Sequence, residues 1–109
     1  MTVHLAASEA AAVVLEKAGM QVLDRSWRCA DGEIAIVAAE RQVLVACEVR
    51  AGGGTRVAVS RAGRARLRRA AVQWMDAHGV RFDQVRVDVI ALAAETAGGF
   101  TTGHIRGAG

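Results

Sequence analysis

Carboxylates and a cation stand at strand-like spacing in two short segments of the chain. The segment GEIAIVA contains Glu33, and the segment VACEVR contains Glu48 and Arg50. On neighbouring strands these side chains could converge with Glu9 of an upstream helix. Carboxylates can hold Mg²⁺, and a guanidinium can contact a phosphate beside the metal. The four residues are therefore candidate catalytic residues of a phosphodiester hydrolase, with Glu33 and Glu48 as its metal ligands.

Two residue types limit that chemistry. Alternation across a strand predicts that Glu33, Ala35 and Val37 share one face, and the alanine offers no ligand atom. Arg50 keeps its positive charge but is effectively never deprotonated, so it can bind phosphate and cannot act as a base. A structural ion pair between Glu48 and Arg50 is the alternative to a role in binding phosphate.

Arginines crowd the first three turns of a predicted second helix. Arg61, Arg64 and Arg68 follow helical spacing and form one stripe, and the first acid after them in sequence is Asp76. Because guanidinium groups match phosphate oxygens, the predicted ligand is a nucleic-acid backbone, bound without sequence preference. An ordinary solvated face is the alternative. The candidate nucleic-acid-binding residues are Arg56, Arg61, Arg64, Arg66, Arg68 and Arg69.

Hydrophobic periodicity and turn residues predict the elements that position these groups. Ser60 is predicted to cap the second helix, and Gly79 to end it. The fourth strand follows this helical crossover, so it can pair parallel with a strand of the preceding antiparallel meander. We expect an α/β or α+β fold with a mixed sheet, in one domain over residues 1–109. The predicted elements are a helix at 5–18, strands at 20–28, 33–39 and 43–50, a helix at 60–78, a strand at 85–92 and a short edge strand at 104–105.

Composition and charge narrow the class of protein. The 109 residues are 52% hydrophobic and 23% charged, which is typical of a globular chain and excludes a disordered one. A formal charge of +3 permits a nucleic-acid partner. The chain has no run of about 18 apolar residues that could span a membrane, and its first residues, MTVH, lack a signal-peptide pattern. We expect a cytoplasmic protein with no membrane partner, in which Cys29 and Cys47 stay reduced.

The order and spacing of these motifs resemble those of the YraN-type family of small bacterial proteins, which are predicted nuclease relatives. The resemblance implies the restriction-endonuclease-like (PD-(D/E)xK) fold, with a mixed central sheet, a helix crossover and flanking helices. The segments that carry it are Glu9, Asp24–Arg28, Gly32–Ile34, Glu48–Arg50, Ala58–Ser60, Arg66–Leu67, Ala70–Ala71, Trp74, Arg86–Ile90 and His104–Ile105.

The chain departs from this family at the positions that matter for chemistry. The resemblance implies a metal-binding aspartate where Ala35 stands and a catalytic lysine where Arg50 stands. Two further family positions, a lysine and a closing aromatic residue, fall at Gly63 and Gly109. We therefore expect a degenerate active site on a protein that binds nucleic acid, DNA rather than RNA.

Two other functions stay open from the sequence. In the first, Glu33 takes the place of the missing aspartate beside Glu48, and the protein is a Mg²⁺-dependent endonuclease. In the second, the basic helix meets an acidic protein surface and the chain is an interaction scaffold. Nuclease relatives often dimerise, so a homodimer is one arrangement that the resemblance allows. Apart from this conditional Mg²⁺, no cofactor is expected.

Overall fold

Two helices and five strands make up the part of the chain that the computed structural model describes, residues 3–51 and 59–107. The elements are α1 (Val3–Lys17), β1 (Gln21–Cys29), β2 (Gly32–Glu40), β3 (Val43–Ala51), α2 (Arg61–His78), β4 (Gln84–Ala94) and β5 (Phe100–Ile105). All five strands form one sheet in the order β1-β2-β3-β4-β5. Only β3 and β4 are paired parallel, because α2 forms the crossover between them.

The predicted architecture is confirmed in its main features. The antiparallel meander, the helix crossover and the parallel fourth strand are all present, so the fold is α+β with a mixed sheet. The short edge strand predicted at residues 104–105 is longer and begins at Phe100. The first helix begins at Val3, two residues before its predicted start.

Local signals set the ends of α2. The Ser60 side chain accepts a hydrogen bond from the backbone N–H of Gly63 at 3.0 Å and so caps the first turn. Gly79 ends the helix with a left-handed backbone at φ 64°, which costs glycine little. One stripe of this helix packs on the sheet, and its buried members are Leu67, Ala70, Ala71, Trp74 and Met75.

The two helices cover opposite faces of the sheet. The α2 face buries apolar side chains of the three central strands: Ile34, Val37, Leu44, Ala46, Val87 and Val89. The α1 face buries a second set from the same strands: Ile36, Ala38, Val45, Cys47, Ile90 and Leu92. Neither described helix combines the length and hydropathy that a membrane span requires.

Side-chain alternation breaks in the middle of β1 and β2. Ile34 packs under α2 while Ile36, two residues later, packs under α1, so the regular alternation is interrupted between them. The register passes from Arg25–Ile36 to Trp27–Ile34 without a pair between Ser26 and Ala35. Ser26 has a positive φ of 50°, which rotates the backbone there.

This break corrects one prediction from the sequence. Glu33, Ala35 and Val37 were expected on a single face, but Ile34 and Val37 both lie on the α2 face. Glu33 is the neighbour of Ile34 and therefore lies on the face opposite Val37. Regular alternation failed as a guide because an interruption between Ile34 and Ile36 reverses the faces of the side chains on one side of it.

The same stretch of β2 separates from β3. The two strands pair from Ile36–Cys47 to Glu40–Val43, whereas β3 stays paired with β4 through Ala51–Leu92. Within the described residues, β2 therefore has no partner on β3 over positions 32–35. The sheet opens at this point, and the opening positions the candidate site.

Candidate functional site

A pocket of about 250 Å³ fills the opening between β2 and β3. Most of its wall is apolar, and carboxylate and hydroxyl groups stand among the apolar side chains. Since residues from both helices line it, the pocket reaches both faces of the sheet. Its lining residues are Ala7 and Ser8 of α1, Ser26 of β1, Glu33 and Ala35 of β2, Cys47, Glu48, Val49 and Ala51 of β3, and Leu67 of α2.

The two carboxylates predicted as metal ligands line this one pocket. The Arg28 Nε lies 3.1 Å from Oε2 of Glu33, its cross-strand neighbour. Arg50 donates from Nε at 3.0 Å and from Nη2 at 2.8 Å, both to Oε2 of Glu48. The Glu33 and Glu48 side chains remain 32% and 28% exposed. In the described part of the chain, the other oxygen of each carboxylate receives no hydrogen bond from the protein.

The remaining predicted catalytic positions are less well placed for holding a metal. Glu9 is exposed, and the wall that α1 contributes consists of Ala7 and Ser8. Ala35 lies in the pocket and contributes a methyl group. Across residues 3–51 and 59–107, no three His, Cys, Asp or Glu side chains are grouped closely enough to hold a metal ion.

Cys47 is a buried group in the pocket wall. Burial raises the pKa of this thiol well above its ordinary value, and the nearby Asp88 carboxylate raises it further. The thiol is therefore neutral near pH 7, and a neutral thiol is a poor nucleophile. Both cysteines are free thiols, as the sequence predicted.

Three of the predicted nucleic-acid-binding arginines hold the structure together. Arg66 donates from Nη1 to the carbonyl oxygens of Asp31, at 3.0 Å, and Glu33, at 3.3 Å, and so ties α2 to the β1–β2 turn. Arg69 lies 3.1 Å from the Asp31 carboxylate. Arg68 donates to the carbonyl oxygen of Val85 at 2.8 Å. The acidic partner of Arg69 is not evident from the sequence, because Asp31 lies 38 residues before it.

The two arginines nearest the start of α2 differ from these three. Among the described residues, neither Arg61 nor Arg64 has an ion pair or a side-chain hydrogen bond. Arg64 lies one turn before Leu67, on the helix face that lines the pocket, and Arg61 lies one turn further. Arg56 lies outside the described residues.

A second polar cluster lies under α1, toward the far end of the same sheet face. Asp88 of β4 is completely buried, and Arg86 bonds both of its oxygens, from Nε at 2.8 Å and Nη2 at 3.1 Å. His104 Nε2 lies 2.8 Å from the same carboxylate, and the backbone N–H of Gly107 donates to it at 2.9 Å. Alternation places Arg86 and Asp88 on one face of β4, but no pattern in the sequence assigns a role to His104.

Glu40 at the end of β2 completes this cluster. Arg86 Nη1 donates to it at 2.9 Å, and Arg106 Nη2 reaches both of its oxygens, at 2.6 and 2.7 Å. Hydrogen bonds from Arg106 and then Arg86 lower the pKa of Glu40 to about 2. Burial raises the pKa of Asp88, but hydrogen bonds from Arg86, Gly107 and His104 together bring it below its ordinary value. We name Glu40, Arg86, Asp88, His104 and Arg106 the latch cluster.

These features define a small α+β protein with a carboxylate-bearing pocket at an opening in its mixed sheet. The model of Uncharacterised protein family UPF0102 matches residues 7–92, and the chain belongs to that family. The chain is 41% identical over 100 residues to a UPF0102 protein of Beutenbergia cavernae, covering 87% of this chain and 85% of the relative. It is 43% identical over 99 residues to one of Kineococcus radiotolerans, covering 85% and 81%. A third, from Arthrobacter sp., is 43% identical over 106 residues, covering 93% and 90%.

Proposed function

We propose that this protein binds nucleic acid through the start of α2 and that its pocket does not hydrolyse phosphodiester bonds. The observation that carries the proposal is the pairing of two features at one place. Arg61 and Arg64 have no acidic partner among the described residues, and they lead along α2 to a pocket in which the metal-ligand position is Ala35. The start of α2 can bind anions, while position 35 of the pocket offers no ligand atom to a metal.

The topology supports a restriction-endonuclease-like core. An antiparallel meander is followed by a crossover helix and a strand parallel to β3, as that resemblance implies. Ala35, where the resemblance implies the metal-binding aspartate, and Glu48 of the Glu-x-Lys motif both line the pocket, which supports a site that lacks one of its ligands. Fold alone does not establish activity, and the side chains present decide it.

Hydrolysis is disfavoured by the donor set. Mg²⁺ requires near-octahedral oxygen coordination and is held in enzymes by one or two carboxylates, waters and substrate phosphates. One oxygen of Glu48 is already engaged by Arg50, and one of Glu33 by Arg28. A metal ion that enters the pocket must compete with these guanidinium groups for the carboxylates. The side chain of Ala35 offers no ligand atom to that ion.

One observation favours the alternative of a Mg²⁺-dependent endonuclease. Glu33 and Glu48 come from different strands and yet line the same pocket, so a metal could bridge the two carboxylates with Glu33 replacing the missing aspartate. In that case DNA cleavage requires metal and is abolished by Glu48→Ala. In the proposed function, binding needs no metal and no cleavage occurs with Mg²⁺ or Mn²⁺.

Salt-dependent binding of labelled duplex DNA tests the proposal. Each phosphate contact contributes about −0.9 to the slope of log K against log salt, so Arg64→Ala should flatten that slope by about 1 and weaken binding. Arg81→Ala is the matched control, because it removes the same charge from an exposed position beyond α2. Equal effects of the two substitutions would mean that binding depends on the net charge of the protein and not on the position of Arg64. An absence of DNA binding at low salt would leave the interaction scaffold as the function.

A further inference from the structure

We infer that the pocket between β2 and β3 receives a single unpaired guanine base. The phosphate contacts in this inference rest on the proposed function, whereas the base contacts rest on the pocket alone. The pocket's size, its hydrogen-bonding character and the charge at its rim each point to this occupant.

The size of the pocket suits one ring system. Its volume of about 250 Å³ is roughly eight times the ~30 Å³ that a water molecule occupies in the liquid. That is smaller than the ~300–1,000 Å³ typical of pockets for drug-sized ligands. Ala35, Val49 and Leu67 supply apolar wall, against which a flat aromatic ring can pack.

The polar groups in the pocket are mainly acceptors. Within the described residues, Oε1 of Glu33 and Oε1 of Glu48 receive no hydrogen bond, since the arginine contacts end on Oε2. An ionised carboxylate has no proton to donate. The preferred ligand therefore presents N–H donors. Among the described residues, Oε2 of Glu33 meets only Arg28, whereas Oε2 of Glu48 already accepts two hydrogen bonds from Arg50. Glu33 is therefore the carboxylate that can accept two donors side by side.

Guanine is the base that meets this requirement. Its Watson–Crick edge carries an N1–H and an N2 amino group next to each other, so two donors can face one carboxylate. Adenine and cytosine each place an acceptor beside their amino group. Thymine and uracil place an N3–H between two carbonyl oxygens, which a carboxylate repels. The edge can reach the pocket only when it is unpaired, as in a bulge, a loop or a flipped nucleotide.

The rim favours a nucleotide over a cationic ligand. A guanidinium from a peptide could also bond a carboxylate, but Arg28 and Arg50 already stand at these two carboxylates and repel a third cation. The same arginines, with Arg64 one turn from Leu67, attract the phosphates on either side of an extruded base. Charge complementarity therefore selects an anionic backbone carrying a base with N–H donors.

The pocket can be tested on its own with free nucleotides. We expect guanosine monophosphate, titrated into the ¹⁵N-labelled full chain, to shift amide resonances of pocket residues more than adenosine, cytidine or uridine monophosphate does. Glu33→Gln should remove this preference because an amide cannot accept two adjacent donors, and Ala35→Leu should remove it by filling the space. Glu16→Gln, at an exposed position of α1, is the matched control. If Ala35→Leu fails to fold, Glu33→Gln still decides the outcome.

Hairpin DNAs with one bulged nucleotide test the base in its backbone. A bidentate base contact should make a bulged G bind at least about fivefold tighter than a bulged T. Equal binding of both hairpins, with no preference for guanosine monophosphate, overturns the inference while salt-dependent binding keeps the proposed function. If guanosine monophosphate shifts the amide resonances but no hairpin binds, the proposed function is overturned and the guanine pocket stands. Larger shifts of the same resonances with N-acetylarginine amide or with Mg²⁺ alone also overturn the inference.

Discussion

The pocket and the latch cluster each have two carboxylates that pair with two arginines, yet they differ in how completely the carboxylates are hydrogen-bonded. In the latch cluster, Asp88 is fully buried and receives bonds from two side chains and a backbone N–H. In the pocket, Glu33 and Glu48 are about a third exposed and keep one oxygen each without a donor among the described residues. A carboxylate whose two oxygens both accept hydrogen bonds from the protein stabilises the fold. A carboxylate with one oxygen free of such bonds is available to a ligand.

The largest expected difference between the two regions is in stability. Asp88→Ala breaks an ion pair at a fully buried position, leaves the partly buried Arg86 with Glu40 alone and should lower the free energy of unfolding by about 3 kcal/mol. Glu48→Ala removes only an exposed pair and should cost less than about 1 kcal/mol. Urea denaturation measures both, with Asp83→Ala, an exposed aspartate next to β4, as the control. Equal losses for Asp88→Ala and Glu48→Ala would contradict the distinction between a latch and a binding site.

The contribution of the latch cluster to stability should fall at acid pH. The pKa of Glu40 is lowered to about 2 and that of Asp88 lies below its ordinary value, so the unfolded chain binds more protons than the folded chain between these values and ~4. The contribution is therefore complete above about pH 5 and is lost as the pH falls toward 2. For Glu40, which is partly exposed, we expect it to reach on the order of 2 kcal/mol. Urea midpoints measured against pH should show this decline, and Glu40→Gln should flatten it.

Gly32 tests how tightly α2 is fastened beside the pocket. Its φ is +106°, and an added Cβ would lie 2.8 Å from Nη1 of Arg66, which bonds the carbonyls of Asp31 and Glu33. Gly98 has a similar φ of +95° and nothing within 4 Å of an added Cβ. Both alanine substitutions strain the backbone, so we expect Gly32→Ala to cost about 1 kcal/mol more than Gly98→Ala through the displaced hydrogen bonds. Thermal unfolding of the two variants measures the difference, and equal melting temperatures would show that Arg66 moves aside freely.

Local sequence signals predicted most of the architecture. Ser60 and Gly79 lie at the two ends of α2 as expected, and the helical crossover allowed the parallel pairing with the meander that β3 and β4 make. These features depend on residues close in sequence or on chain connectivity. They can therefore be predicted without knowledge of tertiary contacts.

The candidate site was predictable only in part, for two physical reasons. The interrupted alternation at Ser26 and Ala35 gives no sequence signal, because serine seldom adopts a positive φ. Glu33 and Glu48 nevertheless reach one pocket, through an opening in the sheet and not through a shared face. Bonds between distant segments, such as Arg106 to Glu40, join residues far apart in the chain that no local pattern connects.

Replacing Ala35 by a carboxylate residue should allow the pocket to bind a metal ion. The expected change in stability is the smallest of the predicted effects. Ala35→Asp adds a third carboxylate to the pocket that Glu33 and Glu48 already line, so the variant should bind Mn²⁺ where the parent chain does not. At a Mn²⁺ concentration equal to the Kd, linkage stabilises the folded state by about 0.4 kcal/mol, which a thermal shift can detect. Ala39→Asp, on the same strand but outside the pocket, controls for added charge. Isothermal titration that detects Mn²⁺ binding in the parent chain would instead favour the endonuclease, because Glu33 and Glu48 would then suffice to hold the metal.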